Sequence, residues 1–345
     1  MKRRTEGFGT TEYLAFAGLT LITFLLCTCV GSVNIALSDT LEVLKCAITG
    51  AEVPDALFGT SNILLTVRLP RVICVALVGA ALSLAGGAMQ GLLKNPLADG
   101  STLGVSSGAS LGAVIAIAFG VQIPGLAMGG TMILAIGFAF LSLLLILSLA
   151  YKLDATLSTS TIILIGVIYS MFTSSLINLV ITFAGDKVRN ITFWTMGSLQ
   201  GSTYTNALIM FAALAVFGGL ILLKAGELNA FAVGEDNARS VGVDVKKVKM
   251  IVLIAISALI GVCVSIGGTI GFVGLVTPHM TRMVVGPNHK RLLPATMFSG
   301  ACFLMLSDLA ARILLRPLDL PIGVITSFIG SLAFIFIFYS SRKGK

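Results

Sequence analysis

Charged residues are scarce in this sequence. They account for 11% of its 345 residues, whereas they make up about a quarter of a soluble globular domain. Hydrophobic residues account for 56%, and the mean hydropathy is +1.02. This shortage of charge excludes a soluble domain and predicts an all-α membrane protein.

Three chemical motifs are also missing. The sequence has no G-x-x-x-x-G-K-[ST] segment, so the energy for any transport must come from a partner or an ion gradient. Its six cysteines form no C-x-x-C pair, which favours apolar packing over a metal or redox site. The net charge of +8 is not gathered into a basic stripe with interleaved aromatics, which argues against nucleic acid as a partner. We expect no cofactor.

Long apolar runs are abundant instead. They predict ten transmembrane helices in a single domain, 1–345, and the first helix is interpreted as retained because it lacks a signal cleavage site. With the N-terminus in the cytoplasm, sixteen of the 23 Lys and Arg lie on that side, so the positive-inside rule places both termini there. The runs lie at about 13–33, 70–93, 103–120, 125–151, 160–184, 204–223, 248–266, 270–286, 292–315 and 321–340.

Two connecting segments are unusually long. Residues 34–69 are predicted to form an extracytoplasmic loop with one short amphipathic helix near Thr40–Thr49, and Pro70 then lies in the first turn of helix 2. Residues 224–249 are predicted to form a cytoplasmic loop in which Glu235 and Arg239 pair at i, i+4. A solvated connector and a docking surface that exposes apolar residues are both compatible with this second loop.

The segment Gly86–Gly112 is rich in Gly and Ser and contains Asn95-Pro96. Irregular backbone at membrane depth survives only inside protein or beside a water-filled cavity, so we predict that this segment lines a pathway. At an offset of 182 residues part of it recurs, which predicts an inverted repeat of helices 2–5 and 7–10. The identical positions are Leu77, Gly79, Ser83, Gly86, Leu93 and Pro96, paired with Leu259, Gly261, Ser265, Gly268, Leu275 and Pro278.

Three arginines lie on the side where the positive-inside rule predicts few. Arg68 and Arg71 lie on either side of Pro70 where helix 2 opens, and Arg312 follows Asp308 by four residues near the end of helix 9. Pairing with Asp308, snorkelling to the interface, and capture of carboxylates on an approaching protein all remain open. Neutral packing and a functional role are likewise both open for Pro278-His279 and Arg282.

Several segments in series resemble the FecCD family, the permeases of ATP-binding-cassette importers for iron–siderophore complexes, haem and cobalamin. The likeness runs from about Asn62 to Tyr339. It implies a bacterial cytoplasmic-membrane location, a second permease subunit, identical or paralogous, two ATPase subunits below and a periplasmic or lipid-anchored substrate-binding protein above. The segments are KNPLADGSTLGVSSGASLGA, GEDNARSVGV, GFVGLVTPHMTR, GPNHKRLLPA, SDLAAR and LPIGVITSFIG.

The resemblance also implies roles for residues at matching positions. Arg68, Arg71 and Arg312 would receive acidic residues of the binding protein. The cytoplasmic gate would comprise Asn95, Leu97, Thr159 and Ser160. The coupling segment that rests on the ATPase would include Leu228, Asn229, Ala230, Gly234, Glu235, Arg239 and Gly242. Asp99-Gly100 departs from the family, which often has Pro there, and Gly100 is expected to loosen that turn.

We therefore expect a permease subunit, not itself an enzyme, that imports an iron(III)–siderophore, which is the commonest cargo of the family. Haem and cobalamin are the alternative cargoes. An ion-coupled secondary transporter is a rival that would also contain inverted repeats, with Asp308 as its candidate carboxylate. A membrane enzyme acting on lipid is disfavoured, because His279, His289, Asp308 and Asp319 are dispersed along the chain.

Overall fold

The structure, a computed structural model, describes residues 7–100, 103–123 and 129–343. The regular elements of these residues are helices, so the all-α prediction is confirmed. The helices are α1 Thr10–Cys29, α2 Leu37–Thr49, α3 Asp55–Leu93, α4 Val105–Phe119, α5 Gly129–Leu153, α6 Thr159–Phe183, α7 Val188–Thr195, α8 Tyr204–Leu223, α9 Ala225–Val233, α10 Glu235–Ser240, α11 Val245–Gly267, α12 Val273–Val285, α13 His289–Ile313 and α14 Ile322–Lys343.

A helix lies in each of the ten predicted apolar segments. Seven of these helices, α1, α3, α5, α6, α8, α11 and α13, are long and apolar enough to cross a membrane. The apolar helices α4 and Ile322–Phe336 within α14 are shorter. The described residues thus contain seven candidate membrane spans by length and composition, while the count of ten stays a prediction.

Helix α3 begins well before the predicted start at Pro70. The predicted amphipathic helix is present as α2, but the second half of the predicted loop is already helical. Residues Ile63–Arg68 form a wider π-helical turn in which the Leu69 N–H donates to the Leu64 carbonyl. Because proline cannot donate a hydrogen bond to the preceding turn, this change of pattern just before Pro70 lets the helix continue through it.

Helices α3 and α13 form the antiparallel centre of the fold. Arg71 of α3 pairs with Asp308 of α13, Gly79 packs against Gly300, and further along α3 Gly87 faces Leu293. A Cβ on Gly79 would collide with the Gly300 carbonyl, so the two backbones touch. The end of this helix pair that carries Arg71 is called the Arg71 end. The opposite end, where α13 begins next to α9 and α10, is called the Glu235 end.

Helix α12 crosses α3 at equally close range. A Cβ on Gly86 would overlap the Gly274 carbonyl. Pro278 inside α12 leaves that carbonyl without its usual helical donor, and the Gln90 side-chain amide of α3 donates to it over 3.3 Å. Arg282 in turn donates to the Gln90 Oε1 atom over 3.1 Å. Arg282 therefore orients a side chain that joins two helices.

Matched positions of the predicted repeat lie in different secondary-structure environments. Gly86 lies inside α3, whereas its counterpart Gly268 follows the end of α11 with φ 67°. Pro96 follows α3, whereas Pro278 lies within α12. The inverted repeat therefore stays a prediction.

Candidate functional site

The three predicted docking arginines lie together at the Arg71 end. Arg71 lies between Asp308 and Asp319, at 2.9 and 2.7 Å, and Arg312 pairs with Asp308 at 2.9 Å. Of the alternatives left open for Arg312, the pairing with Asp308 is therefore the one that the structure shows. The Arg68 guanidinium donates instead to the carbonyls of residues 28, 29 and 33 around the end of α1.

These arginines are buried inside the subunit. Arg68, Arg71 and Arg312 are 5%, 8% and 4% exposed. Carbonyls at a helix end have no partner within the helix, and buried charges are stable only when they are paired. Between them, the arginines donate hydrogen bonds to carbonyls at the end of α1 and pair with carboxylates, and in this way they connect α1 to α3 and α13. Their docking role stays a prediction. Arg316 at this end is exposed, and its guanidinium donates to the Gly31 carbonyl.

The predicted coupling segment forms the compact pair α9 and α10 at the Glu235 end. Contrary to expectation, Leu228 and Phe231 are not exposed but fully buried, because they anchor α9 in the core. Asn229 is bound to the start of α13, where its Oδ1 atom accepts the His289 N–H over 2.8 Å. Val233 and Val241 remain exposed at 71% and 73%.

The charged residues of this segment pair differently from the prediction. Glu235 does not pair with Arg239, because it reaches Lys249 of α11 at 2.8 Å. Arg239 instead contacts Asp236 at 3.4 Å, and both are exposed. Glu235 has therefore turned toward the protein interior, while Arg239 and Asp236 stay on the surface together with the two exposed valines.

Two turns of this segment have backbone φ angles in the positive region. Gly234, between α9 and α10, has φ 134°, and Gly242, after α10, has φ 88°, a region that strongly favours glycine. The two glycines therefore permit the turns on either side of α10. Ala230 is half-buried on α9.

The predicted gate residues lie in two separate turns. The Asn95 Oδ1 atom accepts the Leu97 N–H over 2.9 Å just after α3 ends, and Leu97 is 50% exposed. Thr159 and Ser160 begin α6, whose N-terminus is capped by Ser158.

The turn that precedes α6 is organised by Asp154. Its carboxylate accepts the backbone N–H groups of Thr156 and Ser158 over 2.9 and 3.1 Å, and the Thr156 hydroxyl over 2.5 Å. These hydrogen bonds hold the pKa of Asp154 below its ordinary value. The turn is thus a rigid unit in front of the predicted gate.

A cavity of about 320 Å³ lies between α3, α4, α6 and α11. Ser106, Ser107, Ser110 and Thr269 contribute hydroxyl groups to its wall. Asp99 and Gly100 of the predicted pathway segment also line it, although residues 101 and 102 of that segment lie outside the described residues. Gly100 is tightly packed, since a Cβ there would lie 2.8 Å from the Ile260 Cδ1 atom.

A second, larger cavity of about 1090 Å³ lies at the Arg71 end. Lys187, Asn190, Gln200 and Asp319 line it. Asp319 is the carboxylate that Arg71 binds, so this cavity borders the arginine cluster through Asp319.

Lys249 is the residue at these sites that the sequence reasoning missed. In the sequence it is only one of the sixteen Lys and Arg that the positive-inside rule assigns to the cytoplasmic side. Its spacing from Val245, Val248 and Val252, all buried, places it on the buried stripe of α11. That spacing is the signal that could have identified it.

Comparison with known proteins gives consistent results. Residues 19–340 match the FecCD transport family. The chain is 45% identical over 287 residues to the "Uncharacterized ABC transporter permease protein YvrB" of Bacillus subtilis strain 168, covering 82% of this chain and 80% of that protein. It is 36% identical over 272 residues to the "Cobalamin import system permease protein BtuC" of Halobacterium salinarum, covering 79% and 72%. A solved structure, "An inward-facing conformation of a putative metal-chelate type ABC transporter", shares 30% identity with a TM-score of 0.84, covering 96% of this chain and 100% of that one.

Proposed function

The chain belongs to the FecCD transport family and is a permease of an ATP-binding-cassette importer, and we propose that its cargo is an iron(III)–siderophore. The observation that carries this proposal is the likeness to a metal-chelate type transporter over nearly the whole chain. Hydroxyl groups in the cavity wall support it, because they can contact the organic shell of a chelate.

ATP hydrolysis by partner subunits drives transport through the Glu235 end. The exposed Val233 of α9 and Val241, directly after α10, form a mixed apolar and charged surface together with Asp236 and Arg239. Such a surface suits contact with an ATPase. Displacement of this surface shifts the helices between two states, and ATP favours one state only through differential contact. The turns of Asn95 and Leu97, and of Thr159 and Ser160, form the gate that then opens.

The cargo enters from the Arg71 end, where an extracytoplasmic binding protein docks. The 1090 Å³ cavity is of the size of a site for a bulky small molecule. A second permease subunit completes the pathway, and ten helices per subunit cross the lipid of the bacterial cytoplasmic membrane with both termini in the cytoplasm.

Cobalamin is the second candidate cargo, because one relative is named for it, and haem is the third. An ion-coupled mechanism is less well supported. Its candidate carboxylate, Asp308, is 1% exposed and held by Arg71 and Arg312, so binding and release of an ion would require breaking both pairs.

The test is uptake by the complete transporter in proteoliposomes. This chain, purified with the ATPase and binding protein encoded beside it, is supplied in parallel with a radiolabelled iron(III)–hydroxamate siderophore, haemin and cyanocobalamin. ATP-dependent accumulation of the siderophore alone supports the proposal. Accumulation of cobalamin or haem instead would identify that compound as the cargo and contradict the siderophore proposal. Uptake that does not depend on ATP but depends on a proton gradient would show that the ion-coupled mechanism is correct.

A further inference from the structure

Lys249 is a fully buried lysine at the Glu235 end. It lies in the second turn of α11, and its side chain is 1% exposed. Burying an ammonium group is costly unless it is paired and hydrogen-bonded. The Nζ atom meets that need with two partners from different parts of the chain, namely the Glu235 carboxylate at 2.8 Å and the Leu157 carbonyl at 3.0 Å.

The first partner belongs to the segment that faces the ATPase. Glu235 is the first residue of α10, directly after the turn at Gly234. Its side chain is 25% exposed, so it lies at the boundary between the exposed face of α10 and the interior. Movement of α10 therefore acts directly on the Nζ atom of Lys249.

The second partner belongs to the turn in front of the predicted gate. Leu157 is buried and has φ 53°, which is uncommon for a residue with a bulky side chain. Its N–H donates to the Asp154 carbonyl over 2.9 Å, within the turn that the Asp154 carboxylate braces. A force on the Leu157 carbonyl is thus passed to a rigid turn and to Ser158, the cap of α6.

We propose that Lys249 is a positioning residue that transmits the displacement of α10 to the start of α6. The inference rests on the proposed function, because it takes α10 as the ATPase contact and Thr159–Ser160 as part of the gate. Asn229, bound to the start of α13, holds α9 in place by neutral hydrogen bonds. Lys249 provides the charged link between the ATPase-facing helix and the gate turn.

The experiment measures gate movement without any cargo. A Ser160→Cys variant of the complete transporter, the parent of this series, is labelled with a membrane-impermeant maleimide in inside-out vesicles, once without nucleotide and once with ATP plus vanadate. Labelling of the transporter without this added cysteine is subtracted as background. The Lys249→Met variant keeps the length of the side chain but removes its charge. Lys247→Met, an exposed neighbour on the same helix, is the matched control, and ATP hydrolysis and assembly are measured in the same preparations.

We expect the labelling rate to depend on nucleotide in the parent and in Lys247→Met, and this dependence to fall about tenfold in Lys249→Met, as expected for the loss of a charged hydrogen bond. Assembly and ATP hydrolysis should persist, and Lys249→Arg should restore part of the response. An undiminished response in Lys249→Met would overturn the inference alone. Joint loss of assembly, hydrolysis and labelling without rescue by Lys249→Arg would reduce Lys249 to a packing residue. If the parent itself shows no nucleotide effect, the proposed function and the inference both fail.

Discussion

The two ends of the α3–α13 pair use charge in opposite ways. At the Arg71 end, three ion pairs share the four side chains Arg71, Asp308, Arg312 and Asp319 in one network. At the Glu235 end, Lys249–Glu235 and Arg291–Glu12 share no residue. A network loses several contacts when one member changes, whereas separate pairs can be exchanged one at a time. We therefore expect rearrangement to be easier at the Glu235 end, which is where ATP is expected to act.

The largest effect is expected from Arg71→Glu. It would place a third carboxylate beside Asp308 and Asp319, and breaking a buried pair in this way costs about 5 kcal/mol. We expect little monodisperse protein in size-exclusion chromatography. Arg316→Glu, at the same end but exposed, is the control and should purify normally. Normal purification of both variants would show that the network does not hold this end together.

Asp308→Asn should have the next largest effect. It leaves Arg71 and Arg312 without their shared anion, for a loss of about 3 kcal/mol in the free energy of unfolding. The apparent melting temperature of the purified complex measures this loss. Asp319→Asn should lower it less, since Asp319 is 19% exposed and bound by one arginine. Equal shifts for the two variants would argue against a shared network.

Glu235→Gln should lower cargo transported per ATP hydrolysed by about tenfold, because it removes the anion from Lys249. Arg239→Gln should change this ratio by less than about twofold, because its contact with Asp236 is exposed. The double variant should match Glu235→Gln alone. If instead both substitutions are needed to uncouple hydrolysis from uptake, the residues act as a local pair after all.

Asp154→Asn should have a smaller effect than Glu235→Gln, a decrease in transport of about twofold, since it weakens a local cap. The pKa of Asp154 is lowered by hydrogen bonds from Thr156 and Ser158. A carboxylate with a lowered folded-state pKa stabilises the fold fully above the unfolded-state pKa and loses this contribution only as the pH falls through the folded value. Transport by the parent should therefore show no loss from this group between about pH 7 and about pH 5. A loss there that Asp154→Asn abolishes would contradict this assignment.

Much of the fold could be predicted because apolar length is a local property. Every predicted apolar run contains a helix, and the short helix before α3 was found from its pattern. The early start of α3 could not be predicted, because a proline such as Pro70 is typical of the first turn of a helix. The helix continues through Pro70 because Ile63–Arg68 form a π-helical turn. The repeat that pairs Gly86 with Gly268 is predicted from residue identity at a fixed offset. Residue identity does not show where a helix ends, so it could not predict that the two glycines lie in different backbone environments.

The sites were less predictable because their contacts join distant residues. Arg71 and Asp308 are 237 positions apart, so no local spacing could show that the arginines turn inward. For Glu235 the local rule suggested Arg239, but a buried lysine on another helix offered a stronger partner. The resemblance supplied the predicted positions of the gate and the coupling segment, and the structure shows Lys249 in contact with Glu235 and with the Leu157 carbonyl.

The glycine contacts of α3 with α12 and α13 carry one further consequence. At Gly79 and Gly86 the backbones meet without an intervening side chain, so there is no compliant layer along which these helices could slide. We expect any swing of α3 to carry α12 and α13 with it. The moving parts of the transport cycle should accordingly be sought in α6, which lines the 320 Å³ cavity together with α3.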